Sequence, residues 1–242
     1  MPNPTAAILV IGDEILSGRT RDANMHHLAN VLTKVGIDLK EARFVSDDDT
    51  AIVDAIRALS KSYDHVFTSG GIGPTHDDIT ADAIARAFRK PIKVREDALK
   101  ILQTHYDRQG VELNEARLRM ARIPDGANLI DNPVSSAPGF RLSNVHVMAG
   151  VPSIFQAMLR SVLPSLVGGM PIQSETVRIN RGEGDVAADL GVLAQTFPDV
   201  SIGSYPFQKD GVYGANLVLR SSDKDRLAAA KAELIKRVQH DA

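Results

Sequence analysis

Val66–Thr80, VFTSGGIGPTHDDIT, is the stretch whose reading decides the fold. An apolar strand signal at Val66 and Phe67 runs into Gly70, Gly71 and Gly73. Pro74, Thr75, His76 and the adjacent carboxylates Asp77 and Asp78 follow, and then an Ala/Ile-patterned helix through Ile79, Ala83, Ile84 and Ala87. Glycines allow a tight turn and close approach of a ligand to the backbone. A helix start offers unpaired N–H groups to an anion. Carboxylates do not bind phosphate directly, so their presence here points to a hard cation such as Mg²⁺ between them and phosphate oxygens. The segment reads as a site for a phosphorylated small molecule and a divalent metal at a strand-to-helix junction.

Working outward, the same strand–helix alternation recurs. Ala6–Ile11 is a buried-strand candidate, and residues 22–35 place Leu28, Val31, Leu32 and Val35 on one helical face before Gly36. Strand 37–45, helix 49–59 and strand 64–68 come next, then a helical region 95–120 interrupted near Gly110, an irregular Pro/Gly stretch 124–139, strand 145–148 and helix 152–166. Alternation of this kind predicts a mostly parallel sheet with helices on both faces, an α/β/α sandwich whose ligands sit at the carboxyl ends of the strands. VGGMP, residues 167–171, is the linker candidate. It divides a first domain, 1–168, from a small α+β domain, 172–242, read as strand, helix, strand, strand, helix.

Bulk properties exclude several classes. Hydrophobic residues make up 43% and charged residues 24%, an ordinary globular balance. A formal net charge of −2 gives no electrostatic case for nucleic acid or an anionic membrane surface. The second domain is equally neutral, with nine Lys and Arg against ten Asp and Glu. With no cysteine there is no disulfide, thiolate metal site or Cys nucleophile. The first residues lack a basic signal-peptide region, and no apolar run approaches the roughly 18 residues of a membrane span, so a cytoplasmic protein is expected.

Four clusters carry candidate chemistry. Gly12-Asp13-Glu14, with Ser17-Gly18-Arg19, sets two carboxylates and a guanidinium at the mouth of the sheet; the alternative is a polar capping loop. In Ser46-Asp47-Asp48-Asp49, Asp49 or Ser46 can cap the next helix, yet three adjacent carboxylates exceed what a cap needs. In the Gly-rich motif, Gly70 and Gly71 present backbone to ligand and Thr75 acts as a cap that also touches it. His76 is either a proton donor or a solvent-facing residue. Ser135-Ser136-Ala137-Pro138-Gly139-Phe140 is either a loop over the ligand, with Ser136 as its contact, or a turn between two strands. The remaining histidines carry little: His26-His27 diverge on a helix, and His65, His105, His146 and His240 are isolated. RGEGD, residues 181–185, fails the spacing of a nucleic-acid-binding GxxG loop and is acidic.

GDEILSGRTRDAN, VSDDD, TSGGIGPTHDDIT, SSAPGF and MAGVPSIFQAM, in this order and spacing, resemble the CinA-type branch of the MoaB/Mog molybdopterin-binding superfamily over residues 6–166, and the tail resembles the small module that follows in CinA proteins. The resemblance implies a three-layer MoaB/Mog-like fold and metal-dependent hydrolysis of a nucleotide pyrophosphate, ADP-ribose or FAD. A molybdopterin-binding or adenylylating role of the same pocket is the alternative. The match does not extend to the C-terminal amidohydrolase domain of full-length CinA proteins, so nicotinamide-nucleotide deamidase activity is not expected. The resemblance implies that the acidic residues Asp47/Asp48 and Asp77/Asp78 serve the pocket, Asp77 and Asp78 as metal ligands and Asp78 also as a catalytic residue. Asp13 or Asp48 handles the water; Gly70, Gly71 and Gly73 give N–H groups to phosphate; Arg19 and Asn24 orient the nucleotide. Mg²⁺, Mn²⁺ or Co²⁺, with potassium, are the implied cofactors. A homo-oligomer formed through the sheet domain is also implied. The chain departs from the family pattern at Ala23-Asn24, where Thr usually precedes Asn, and at Pro152-Ser153-Ile154-Phe155, where Pro-Ser-Glu-Met is usual.

Overall fold

The computed structural model describes residues 2–209 and 211–239; His240 lies outside them. The boundary between two compact units falls between Gly169 and Met170.

In the first unit, strands β1 (Thr5–Ile11), β2 (Asp38–Val45), β3 (His65–Ser69) and β8 (Val145–Met148) are parallel neighbours. Strands β6 (Asn128–Ile130) and β7 (Gly139–Leu142) extend the sheet antiparallel, giving the order β2-β1-β3-β8-β7-β6. The two central strands are apolar without alternation because both faces are covered: Ala6–Ile11 are at most 3% exposed, and Val66 and Phe67 are fully buried. Helices α3 (Asp49–Ser62) and α4 (Thr80–Ala87) cover one face through Ile52, Ile56, Leu59 and Ile84. Helices α2 (Asn24–Lys34) and α7 (Pro152–Val162) cover the other through Leu28, Leu32, Phe155 and Leu159. Each such buried side chain contributes about 1.5–3 kcal/mol relative to exposure. The mostly parallel α/β/α sandwich read from the sequence is therefore present.

The fold differs from the sequence expectation where elements are short. A one-turn α1 (Asp13–Leu16) follows β1. Strands β4 (Ile92–Val94) and β5 (Arg122–Pro124) pair as a separate two-stranded sheet around α5 (Glu96–Gln109) and α6 (Glu115–Leu118), β6 lies within the stretch read as irregular, and β7 begins at its end. Three or four residues carry too few alternations to show a period of two. Gly110 ends α5 at φ 65°, a left-handed conformation that glycine adopts at little cost.

The second unit contains β9 (Gln173–Ile179), α8 (Glu183–Thr196), β10 (Ser201–Lys209), β11 (Val212–Ser221) and α9 (Lys224–Gln239). Its antiparallel sheet, ordered β10-β11-β9, packs one face against both helices around Val186, Leu193, Leu217, Leu219 and Leu234. Among the described residues, no helix is long and apolar enough to cross a membrane.

Candidate functional site

A cleft of 610 Å³ opens at the carboxyl ends of β1, β3 and β8, where an open α/β sheet receives its ligands. That volume is within the roughly 300–1,000 Å³ range of small-molecule sites. Gly12, Glu14, Arg19 and Thr20 line one side, Gly70–Pro74 with Asp77 and Asp78 the floor, and Asn132, Ser135 and Ala137 a third side. Ala149–Pro152 and Ile154 form an apolar wall.

The floor is shaped by backbone. Gly70 and Gly71 have φ of 112° and 69°, and a Cβ on Gly70 would run into the Ile11 carbonyl oxygen. A Cβ on Gly71 would strike Thr80 Oγ1. Thr80 closes the loop by donating its N–H to the Gly71 carbonyl (3.0 Å) and its hydroxyl to the Gly70 carbonyl (3.1 Å). Helix α4 therefore begins at Thr80, after N-cap Ile79. The expected cap at Thr75 is corrected: its N–H and hydroxyl donate to Asp78 Oδ2 at 2.8 and 2.6 Å, five residues before the helix. That turn folds Asp78 back over Gly73, where a Cβ would lie 2.6 Å from Asp78 Oδ2. Arg119 donates to the Asp78 carbonyl (3.1 Å) and holds the loop from outside.

The acidic groups sort by position. Asp48 faces away from its expected role: it is the N-cap of α3, with Oδ1 accepting the Ala51 N–H at 2.8 Å, so neither Asp49 nor Ser46 caps that helix. Its neighbour Asp47 lines the cleft instead and accepts the Asp13 N–H at 3.0 Å. Burial pushes the Asp47 carboxyl above the usual carboxylate range. The Asp13 N–H opposes this, and the carboxylates of Asp13, Glu14 and Asp77 raise it further. Asp13 contributes its N–H and its charge from the rim.

Other expected residues take different places. Asn24 is 3% exposed; its amide donates to Ser69 Oγ and the Gly150 carbonyl, both at 2.7 Å, so it braces the cleft from beneath. Ser136 sits at φ 61° while Ser135 reaches the cleft, in a turn organised by Asn132 and standing between β6 and β7. The His76 side chain is 99% exposed and faces solvent. His65 and His146 are not isolated: their rings lie 5.8 Å apart.

Among the described residues, no three His, Cys, Asp or Glu side chains form a ready-made metal cage. A Mg²⁺-type ion needs none, since it commonly uses one or two carboxylates, substrate phosphates and water. The repulsion felt by Asp47 is the kind a cation relieves, so the donor set fits such an ion.

Residues 7–167 match a family model described as a probable molybdopterin binding domain. The chain belongs to that family. Within it the likeness is to CinA: the CinA structure from Thermoplasma acidophilum superposes with a TM-score of 0.62 at 34% identity, over 67% of this chain and 97% of that one. Residues 171–242 of this CinA-type chain match the middle domain of FAD synthase. A protein of Archaeoglobus fulgidus is 33% identical over 93% of this chain and 95% of its own length. The probable FAD synthase of Caenorhabditis elegans is 34% identical over 95% of this chain, which spans 49% of that relative.

Of the pairs Asp47/Asp48 and Ser135/Ser136, it is Asp47 and Ser135 that line the cleft, each one position before the residue given the role from the motifs. Reading the motifs of this molybdopterin-binding domain residue by residue misses Arg119, whose signal was absent, because nothing in sequence places it against the Asp77–Asp78 loop. At the family's Pro-Ser-Glu-Met position, Ile154 joins the cleft wall and Phe155 is fully buried in the core.

Proposed function

We propose that the first domain is a metal-dependent nucleotide pyrophosphatase of the FAD or ADP-ribose type. The observation that carries this reading is Asp47, a partly buried carboxyl raised by burial and by three acidic neighbours, opposite a glycine floor in a cleft of 610 Å³. A group so tuned accepts a proton from water more readily than an ordinary carboxylate. FAD enters as substrate because the second domain matches a FAD synthase segment and relatives bear that name.

In the reaction, a water oxygen bonds to one phosphorus and its proton passes to Asp47. The bond from that phosphorus to the bridging oxygen breaks, and the bridging oxygen leaves with the second phosphate. FAD yields AMP and FMN; ADP-ribose yields AMP and ribose 5-phosphate. The backbone of Gly70–Gly73 cradles phosphate, Arg19 offsets its charge, and the Asp13 N–H keeps Asp47 oriented. The wall from Ala149 to Ile154 excludes water from one side. A divalent cation, Mg²⁺, Mn²⁺ or Co²⁺, held by Asp77 and Asp78 and accompanied by potassium, supplies charge neutralisation when bound.

A second reading, a pterin or nucleotide binder without hydrolysis or with adenylyl transfer to molybdopterin, is favoured by Ile154 standing where the family motif carries Glu. Mass-spectrometric detection of AMP from FAD and ADP-ribose, with each cation and with Asp47→Asn alongside, separates the two. Metal-dependent AMP lost in the variant supports the hydrolase. No AMP, with thermal stabilisation by the same nucleotides retained, overturns it in favour of a binder.

A further inference from the structure

The strands of the second domain turn alternate side chains toward α8 and α9 and the rest away from them. The helix side takes the apolar residues Val177, Ile179, Leu217 and Leu219, and also Glu175, which pairs with Lys231 of α9 at 2.7 Å. Neither helix of this unit covers the opposite side. Arg178, Asn216 and Tyr205 form one row across it, with Phe207 opposite Gly214 and Arg220 opposite Ser201. By the same alternation Lys209 falls on this side, and no Asp or Glu of the three strands does. Neither Arg178 nor Arg220 has a carboxylate partner among the described residues.

Two rings lie down on this face. Gly203 precedes Tyr205 by two residues on the same side, and a Cβ there would meet the Tyr205 ring at 3.1 Å. A Cβ on Gly214 would meet Phe207 Cζ at 2.8 Å. Each ring thus rests on bare glycine backbone rather than standing up from the sheet. The Arg178 guanidinium lies 4.0 Å from the Phe207 ring centre, and Tyr205 remains 50% exposed. Covering glycine backbone accounts for the rings. It does not account for an all-cationic face or for an open tyrosine upon it.

We propose that this face binds a mononucleotide, its planar ring stacked on Tyr205 and its phosphate paired with Arg178. Aromatic faces accept any planar base, and guanidinium forks match phosphate oxygens. The Tyr205 and Arg178 backbones are two strand spacings apart, about 10 Å, and the Arg178 guanidinium reaches back over Phe207, two residues along β10 from Tyr205, so one nucleotide can engage both. A nucleic-acid strand fits less well: the domain as a whole carries nine basic against ten acidic residues, and Tyr205 is the open ring on this face. The proposal stands apart from the pyrophosphatase reading, since it concerns the other domain and needs no turnover.

The test is a flavin-fluorescence titration of the full chain with FMN, without metal. FMN emission falls saturably, Tyr205→Leu weakens binding at least tenfold, and Arg178→Gln weakens it and flattens its salt dependence. Tyr205→Phe, which keeps a ring over Gly203, stays within about twofold of the parent and shows that the leucine variant's loss is not misfolding. FMN binding indifferent to Tyr205→Leu overturns the proposal. So does a ten-nucleotide single strand that binds at least tenfold more tightly than FMN and is lost in the same variants.

Discussion

The Asp13 N–H donates to Asp47 Oδ2 at 3.0 Å, joining the loop after β1 to the loop after β2 across the cleft mouth. The bond orients a carboxyl whose ionisation is disfavoured by burial and by Asp13, Glu14 and Asp77. Because its folded-state pKa is raised, its contribution to stability is fully present below the unfolded pKa and is lost as pH rises through the folded one. Asp47→Asn keeps an oxygen for the Asp13 N–H and removes the ionisation. We expect AMP release to fall roughly 10²–10⁴-fold. The melting temperature at pH 7 is expected to be equal or higher. Parallel activity and thermal-melt measurements check this split; a variant that loses both together marks Asp47 as scaffold.

Backbone strain in the cleft floor gives a second prediction. Gly70, Gly71 and Gly18 all have positive φ, but only at Gly70 and Gly71 does a Cβ meet neighbouring atoms; at Gly18 nothing lies within 4 Å. Gly18→Ala is expected to cost only conformational strain, about 1 kcal/mol. Gly70→Ala adds the collision with Ile11 and is expected to exceed about 3 kcal/mol. Urea denaturation of the two variants gives the comparison, and equal midpoints would show that the floor yields.

These residues also show what was legible in the sequence. Gly70 and Gly71 stood out because the conformation they serve is closed to other residues. The central strands stood out because burial on both faces leaves an unbroken apolar run. Asp47 and Asp48 were not separable: which of them caps α3 depends on where the helix begins, to a single residue. Thr75 failed for a related reason. Thr75 and Asp78 make the reciprocal bonds of a helix-starting turn, with the Asp78 N–H donating to the Thr75 carbonyl at 3.2 Å, yet no helix follows there. The Thr80–Gly71 bond, across nine residues, decides the start instead.

Asn24 ties three elements together below the cleft, through Ser69 at the end of β3 and Gly150 after β8. Asn24→Ala leaves the Gly150 carbonyl and the Ser69 hydroxyl short of a buried partner, at an expected cost of about 1–3 kcal/mol. The loss concerns support of the floor, so nucleotide-induced thermal stabilisation is expected to weaken beyond what the lower baseline explains. A change under about 0.5 kcal/mol in urea would show that water or a neighbouring group replaces the amide.

The last prediction concerns acid. His146 is 1% exposed, stacked on Phe67 with ring centres 4.9 Å apart, and neither ring nitrogen has a hydrogen-bond partner. Burial, with His65 and Arg141 adding repulsion, pushes its pKa down from 6.5 to about 3. Burial likewise lowers His65. Between those limits the unfolded chain binds a proton that the folded chain refuses, so stability rises with pH there and is lost on acidification. One such proton is worth about 1.4 kcal/mol per pH unit, or roughly 2 kcal/mol between pH 6.5 and 5. His146→Leu, similar in volume, removes the His146 part of this dependence whatever it does to stability at pH 7. Urea midpoints at pH 7 and pH 5 are expected to lie closer together for the variant than for the parent. The same pH slope in both would place the acid sensitivity on other groups.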